Sequence, residues 1–165
     1  MQIERIKLPD MSNAERAILK RSAGRPLAEA GRALGIFYAL KPPEIKPWQE
    51  EALFAVLCMS AMWREDERGT VKPMEDCLRR IRQSDSLDHR IMALLDTSFD
   101  GGDGLLTAKL SRLARQIRTS GEPISPDFPE LFKDLLDWDS TDRRVQKNWA
   151  RTYFVNQEEN NRNDK

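Results

Sequence analysis

Apolar positions recur along the chain at intervals of three and four rather than two, a spacing that predicts helices almost throughout. Only IERIKL, at the start, alternates over five or more residues, and β-branched residues are sparse. Ser12 with Glu15 reads as a capping box opening a helix that Gly24 and Pro26 close. The next predicted helix spans Leu27 to Leu40, with Leu27, Ala30, Leu34, Phe37 and Tyr38 on one stripe. Pro47 then opens WQEEALFAVLCMSAMW, apolar on most of its circumference and therefore the expected central helix.

Residues 64 to 73 read as a charged loop, and MEDCLRRIRQ and SLDHRIMALLD as two short helices parted near Ser84. The acidic, glycine-rich FDGGDG at 99 to 104 marks a boundary between two halves. Helices follow over Leu105 to Thr119, Ser125 to Trp138 and Asp139 to Val155. The expected fold is all-α: about eight helices and no sheet, in an N-terminal half (1–98) and a C-terminal half (105–156), with a disordered tail at 157–165.

Composition narrows the class. A length of 165 residues suits one domain or two very small ones, and 27 Lys plus Arg balance 27 Asp plus Glu. A pI near 6.6 counts against a freestanding tight nucleic-acid binder, which usually exceeds 9. Mean hydropathy is −0.65, low for an enzyme core but too apolar in pattern for a disordered chain. Cys58 and Cys77 form neither a disulfide framework nor a metal pattern and read as small core residues. The lack of an apolar run of membrane-spanning length, and of a signal-peptide core at the start, predicts a cytoplasmic protein with no membrane partner.

The zero sum conceals segregation. Between positions 105 and 118 stand Lys109, Arg112, Arg115 and Arg118 without an acid. Leu106, Leu110, Leu113 and Ile117 take one side of that helix and the arginines the other. In the last helix Val145, Trp149 and Tyr153 share a stripe, opposite Arg143, Arg144, Lys147 and Arg151. A third concentration, Arg16, Lys20, Arg21, Arg25, Arg32 and Lys41, meets only Glu29. The compensating acids pool at 122 to 142, as Glu122, Asp127, Glu130, Asp134, Asp137, Asp139 and Asp142. A merely solvated face usually mixes signs to gain i,i+4 pairs. Three stretches that decline such pairing point instead to a phosphate-binding surface, and arginine's fork suits phosphate.

Catalytic patterns are missing. His89 is the single histidine, and GxxxxGK[ST], GxSxG and HExxH do not occur. Asp96, Asp100 and Asp103 near the glycines lack the ligand order of a calcium loop, so an acidic helix-capping turn is expected there. Asp134 and Asp137 lie one turn apart, but exposed helix acids are commoner than metal ligands. No metal or other cofactor is expected.

RAILKRSAGRPLAEAGRALGIFYALKPP, LDHRIMALLD and LSRLARQIRTSGEPISPDFPELFKDLLDWDSTDRRVQKNWARTYF together resemble the CasB family, the small subunit of the Cascade effector in type I-E CRISPR systems. The resemblance covers most of residues 13 to 154, and its most specific part is Leu131 to Phe154, a variant of LLxDLLxW followed by RRVQxxWARxYF. It implies two packed helical halves, no catalysis and no cofactor. It also implies a place, as two copies of the chain, between the backbone subunits and the large subunit of a complex carrying crRNA. There the family helps hold target DNA and the displaced single strand of the R-loop through basic side chains. Carried over, the basic positions are Lys20 and Arg21, Arg90, Arg112 and Arg115, and Arg143 and Arg144. Arg79 and Arg80 stand in MEDCLRRIRQ, which replaces a more glycine-containing stretch, and Gly101, Gly102 and Gly104 loosen the connection between halves. Trp138 and Trp149 belong to the signature and read as core anchors.

The expected function is therefore a non-catalytic Cascade subunit that grips nucleic-acid backbone through Lys20, Arg21, Arg25, Arg80, Arg90, Arg112, Arg115, Arg118, Arg143, Arg144, Lys147 and Arg151. The alternative is a structural clamp whose stripes dock acidic patches of neighbouring subunits, including a second copy of the chain.

Overall fold

In a computed structural model of the chain, residues 5–100 and 104–155 are described. The start of the IERIKL segment, the middle of the FDGGDG turn and the tail expected at 157–165 lie outside them. Among the described residues are eight α-helices: α1 (Asn13–Arg21), α2 (Ala33–Leu40), α3 (Glu50–Ser60), α4 (Met74–Arg80), α5 (Asp85–Leu95), α6 (Leu105–Thr119), α7 (Phe128–Leu136) and α8 (Arg144–Ala150). The all-α expectation holds. No helix among them is long and apolar enough to cross a membrane.

Local chemistry sets most of the boundaries. The Ser12 hydroxyl accepts a hydrogen bond from the Glu15 amide while the Glu15 carboxylate accepts one from the Ser12 amide, closing the expected capping box of α1. Asp127 caps α7 by accepting from the Glu130 amide. The single helix expected over 27 to 40 is broken in two: a 3-10 turn at Leu27–Glu29 is separated from α2 by Gly31, whose φ of 56° no right-handed helix accommodates. That break shifts the helical phase. Ala33 and Phe37 turn inward, whereas Leu34 and Tyr38 of the expected stripe stand 42% and 47% exposed.

Helix α3 is buried from Ala52 to Ser60 and packs against α1, α6 and α7, which is the central position its apolar circumference predicts. Trp63, Trp138, Trp149 and Tyr153 join it in one hydrophobic cluster that includes residues from both sides of the 101–103 connection. Trp138 and Trp149 meet edge to face at 5.2 Å between ring centres, so both are core anchors. Cys58 and Cys77 are buried free thiols, as expected, and burial pushes each up to about 12.

The expectation of no sheet is corrected. Within the stretch read as a charged loop, β1 (Thr70–Lys72) pairs in parallel with β2 (Ile124–Pro126), in register Thr70 with Ile124. The Thr70 amide donates to the Pro123 carbonyl and the Asp127 amide to the Lys72 carbonyl, so the pair ties the entry of α4 to the entry of α7. The last helix is also shorter than the 139 to 155 expected. Residues before it form turns, Arg143 stands at φ 53°, and a π-helical turn (Arg151–Val155) carries Tyr153 into the core.

Candidate nucleic-acid interface

Helix α6 is the spine of the site because its two faces are chemically opposite. Leu106, Leu110, Leu113, Ala114 and Ile117 are buried, while Arg112 and Arg115 are exposed. Its neighbour α5 buries Leu87, Ile91 and Leu94 and leaves Arg90 outside. The two helices meet where Arg90 donates a 3.1 Å hydrogen bond to the Gln116 side-chain carbonyl.

Between them runs a groove of about 480 Å³ lined by Arg90, Lys109, Arg112 and Arg115, with Ala93 and Leu113 as apolar floor and Gln116 and Thr119 completing it. Among the described residues no carboxylate lines it. The groove continues at both ends. Gln116 and Thr119 also border a hollow that holds Arg80 and Glu122. At the other end Lys109 donates to the Thr97 hydroxyl at 2.9 Å, and Thr97 borders a third hollow containing Arg143 and Asp139. Cations from α4, α5, α6 and the entry of α8 thus follow one another along a track whose middle is free of acids.

The remaining predicted residues fall into three groups. Lys20, Arg21 and Arg25 are exposed on and just after α1. This helix runs in the opposite sense to α6: Gly24 lies against Ala108 and Ser111, and at the other end Arg16 and Arg118 donate to the neighbouring carbonyls of Trp63 and Met62. Arg118 is committed within the chain, since it also pairs with Glu67, whose carboxyl is held low by the Arg64 amide and then by the Arg118 charge. Arg143 donates to the Leu95 carbonyl and Arg144 pairs with Asp137 at 3.5 Å, while Lys147 and Arg151 are exposed on the outer side of α8 and the turn after it. Among the described residues, Lys20, Arg21, Arg25, Arg90, Arg112, Arg115, Lys147 and Arg151 make no ion pair.

The acidic block behaves differently. Asp127 pairs with Arg5 at 3.0 Å. Asp139 accepts from the Ser98 hydroxyl and the Phe99 and Asp100 amides, so it caps the chain just before residue 101. Asp134 accepts from the Trp149 indole and Asp142 from the Ser140 hydroxyl. Most of these acids are engaged in caps and internal pairs, and the two that border the track, Glu122 and Asp139, stand in its end hollows, which leaves its middle unneutralised despite equal totals. Asp134 and Asp137 face different partners, and among the described residues no group of three or more metal-ligating side chains gathers.

Two features escape the sequence. The convergence of Arg90 with Arg112 and Arg115 joins α5 to α6, and only the resemblance hints at Arg90. Trp48 is 63% exposed although Trp63, Trp138 and Trp149 are buried, and Leu34 and Tyr38 are exposed in the same N-terminal part of the chain.

The family model for CRISPR-associated protein Cse2 matches residues 15–154. A curated relative, CRISPR-associated protein Cse2 of Thermus thermophilus, is 26% identical over 152 residues, covering 86% of this chain and 79% of the relative. The crystal structure of CasB from Thermus thermophilus matches with a TM-score of 0.65 at 26% identity, covering 86% of each chain. A chain of a CRISPR RNA-guided surveillance complex matches with a TM-score of 0.71 at 21% identity, over 92% of this chain and 88% of that one, a likeness of fold.

Proposed function

The chain belongs to the CRISPR-associated Cse2 family, also called CasB, and from that premise we propose that it is a non-catalytic subunit of a cytoplasmic Cascade-type complex that holds nucleic-acid backbone. The observation that carries this reading is the acid-free middle of the α5–α6 track, where Arg90, Lys109, Arg112 and Arg115 converge. The fold shared with a chain of a surveillance complex supports a setting among other subunits and crRNA.

The mechanism is electrostatic. Each cation on the track replaces counterions along a phosphate backbone, a contribution that is independent of sequence and falls as salt rises. Base pairing with the guide supplies the sequence readout. R-loop opening exchanges one duplex for another of similar stability, so a few backbone contacts to the target strand and the displaced strand shift it toward the open state. Zero net charge gives the lone chain little long-range attraction, and the track becomes effective when assembly brings the strands to it. Binding of single-stranded DNA to the assembled complex should weaken steeply between low and high salt. Equal binding at both contradicts the mechanism.

A second reading, a clamp acting through protein contacts, is favoured by the exposed Leu34, Tyr38 and Trp48. Assembly of the other subunits without RNA separates the two, because a clamp promotes it and a backbone binder does not.

A further inference from the structure

Helix α8 docks on two carboxyl groups. Asn148 donates to Glu75 of α4 at 3.4 Å, and the next residue, Trp149, donates its indole N–H to Asp134 of α7 at 2.9 Å. Glu75 is only 6% exposed, and its second oxygen, Oε2, is buried with no hydrogen-bond partner. A buried carboxylate oxygen without a partner is costly, whereas a protonated carboxyl is neutral and gains a donor.

We propose that Glu75 is a proton-operated catch for α8: protonated, it holds the helix against α4, and ionised, it loosens it. The surroundings reinforce the effect. Asp76 on α4 and Asp134 and Glu130 on α7 add negative charge around Glu75, whereas the Trp149 indole N–H and then Lys133 favour the ionised form of Asp134. Lys72 of β1 and Arg79 and Arg80 of α4 pair with Asp76, and Arg144 of α8 pairs with Asp137. On α5, Asp88 is fixed by Arg82 and Tyr153, with His89 beside it. Burial is the main cause that pushes the Glu75 carboxyl up to about 7 and the Asp134 carboxyl up to about 6. A carboxyl raised by folding stabilises fully below its ordinary value near 4.5 and loses that stabilisation as pH rises through about 7. Because α8 and its ends carry Arg143, Arg144, Lys147 and Arg151, the catch governs how firmly that basic stripe is presented.

The test is amide hydrogen exchange over residues 144–153 in the full chain at pH 5 and pH 7.5, corrected for intrinsic exchange. The wild type should lose at least about tenfold in protection at the higher pH. Glu75→Gln keeps the acceptor for Asn148 and should abolish most of that loss, and Asp134→Asn, which removes a negative charge that raises Glu75, should reduce it. A wild type with no loss, or variants that both lose as much as the wild type, overturns the proposal.

Discussion

Arg112 and Arg115 are exposed, make no ion pair among the described residues, and stand on the groove side of α6. Replacing both by Gln removes two of the four cations lining the groove and leaves its buried stripe intact, so the change in folding stability should stay within about 0.5 kcal/mol. If each of the four neutralises one phosphate of a single strand, they contribute a slope of about −2.8 to log K against log salt. The double variant retains about −1.4 of it. Over a tenfold rise in salt, the groove's share of affinity falls roughly 600-fold in the wild type and roughly 25-fold in the variant. Fluorescence anisotropy of a labelled oligothymidylate, titrated with the assembled complex at several salt concentrations, reads the difference directly, because the other subunits contribute equally to both slopes. An unchanged slope refutes the assignment of the groove to phosphate, whatever happens to affinity at one salt concentration.

Other expectations concern the frame that holds the track. A Cβ at Gly69 would sit 2.2 Å from the Pro123 carbonyl oxygen, and its φ is 59°, so Gly69→Ala should displace β1 from β2. The left-handed conformation alone costs about 1–2 kcal/mol, and with the clash the loss should exceed about 2 kcal/mol, seen as a fall in Tm of at least about 4 °C. Tyr153→Phe removes the 2.6 Å hydrogen bond to Asp88 and should cost about 2 kcal/mol in urea unfolding. Asp88 is held below its ordinary 3.8, first by Arg82 and then by Tyr153, so its stabilisation is present above 3.8 and is lost as pH falls below it. Asp88→Asn should be less stable than the wild type at pH 6, and the gap should narrow on acidification toward pH 2; a gap independent of pH contradicts that expectation.

The helices are legible in the sequence because their signals are local. Ser12 and Glu15 lie within one turn, and the alternation of leucines with arginines over residues 105 to 118 needs no tertiary information. The short β pair is not legible. Each strand has three residues, one contains Pro126, and the pairing joins distant parts of the chain. Gly31 lies inside a stretch of helical periodicity, yet its left-handed backbone resets the phase and exposes Leu34 and Tyr38. For the site, periodicity identifies Arg112 and Arg115, but it does not show that Arg118 is spent on Met62 and Glu67 or that Lys109 reaches Thr97. Nor does it show that the acidic block works as caps and internal partners, which is why equal totals leave an unneutralised face.

On the proposed function, the basic surface favours the open R-loop. The most direct measurement is R-loop yield on a matched target duplex by complexes carrying either the wild-type chain or the triple variant Arg21→Glu, Arg90→Glu and Arg115→Glu, each verified for full assembly. A marked fall in yield for the triple variant, with unchanged folding of the chain, is the predicted result. Equal yields from correctly assembled complexes contradict it.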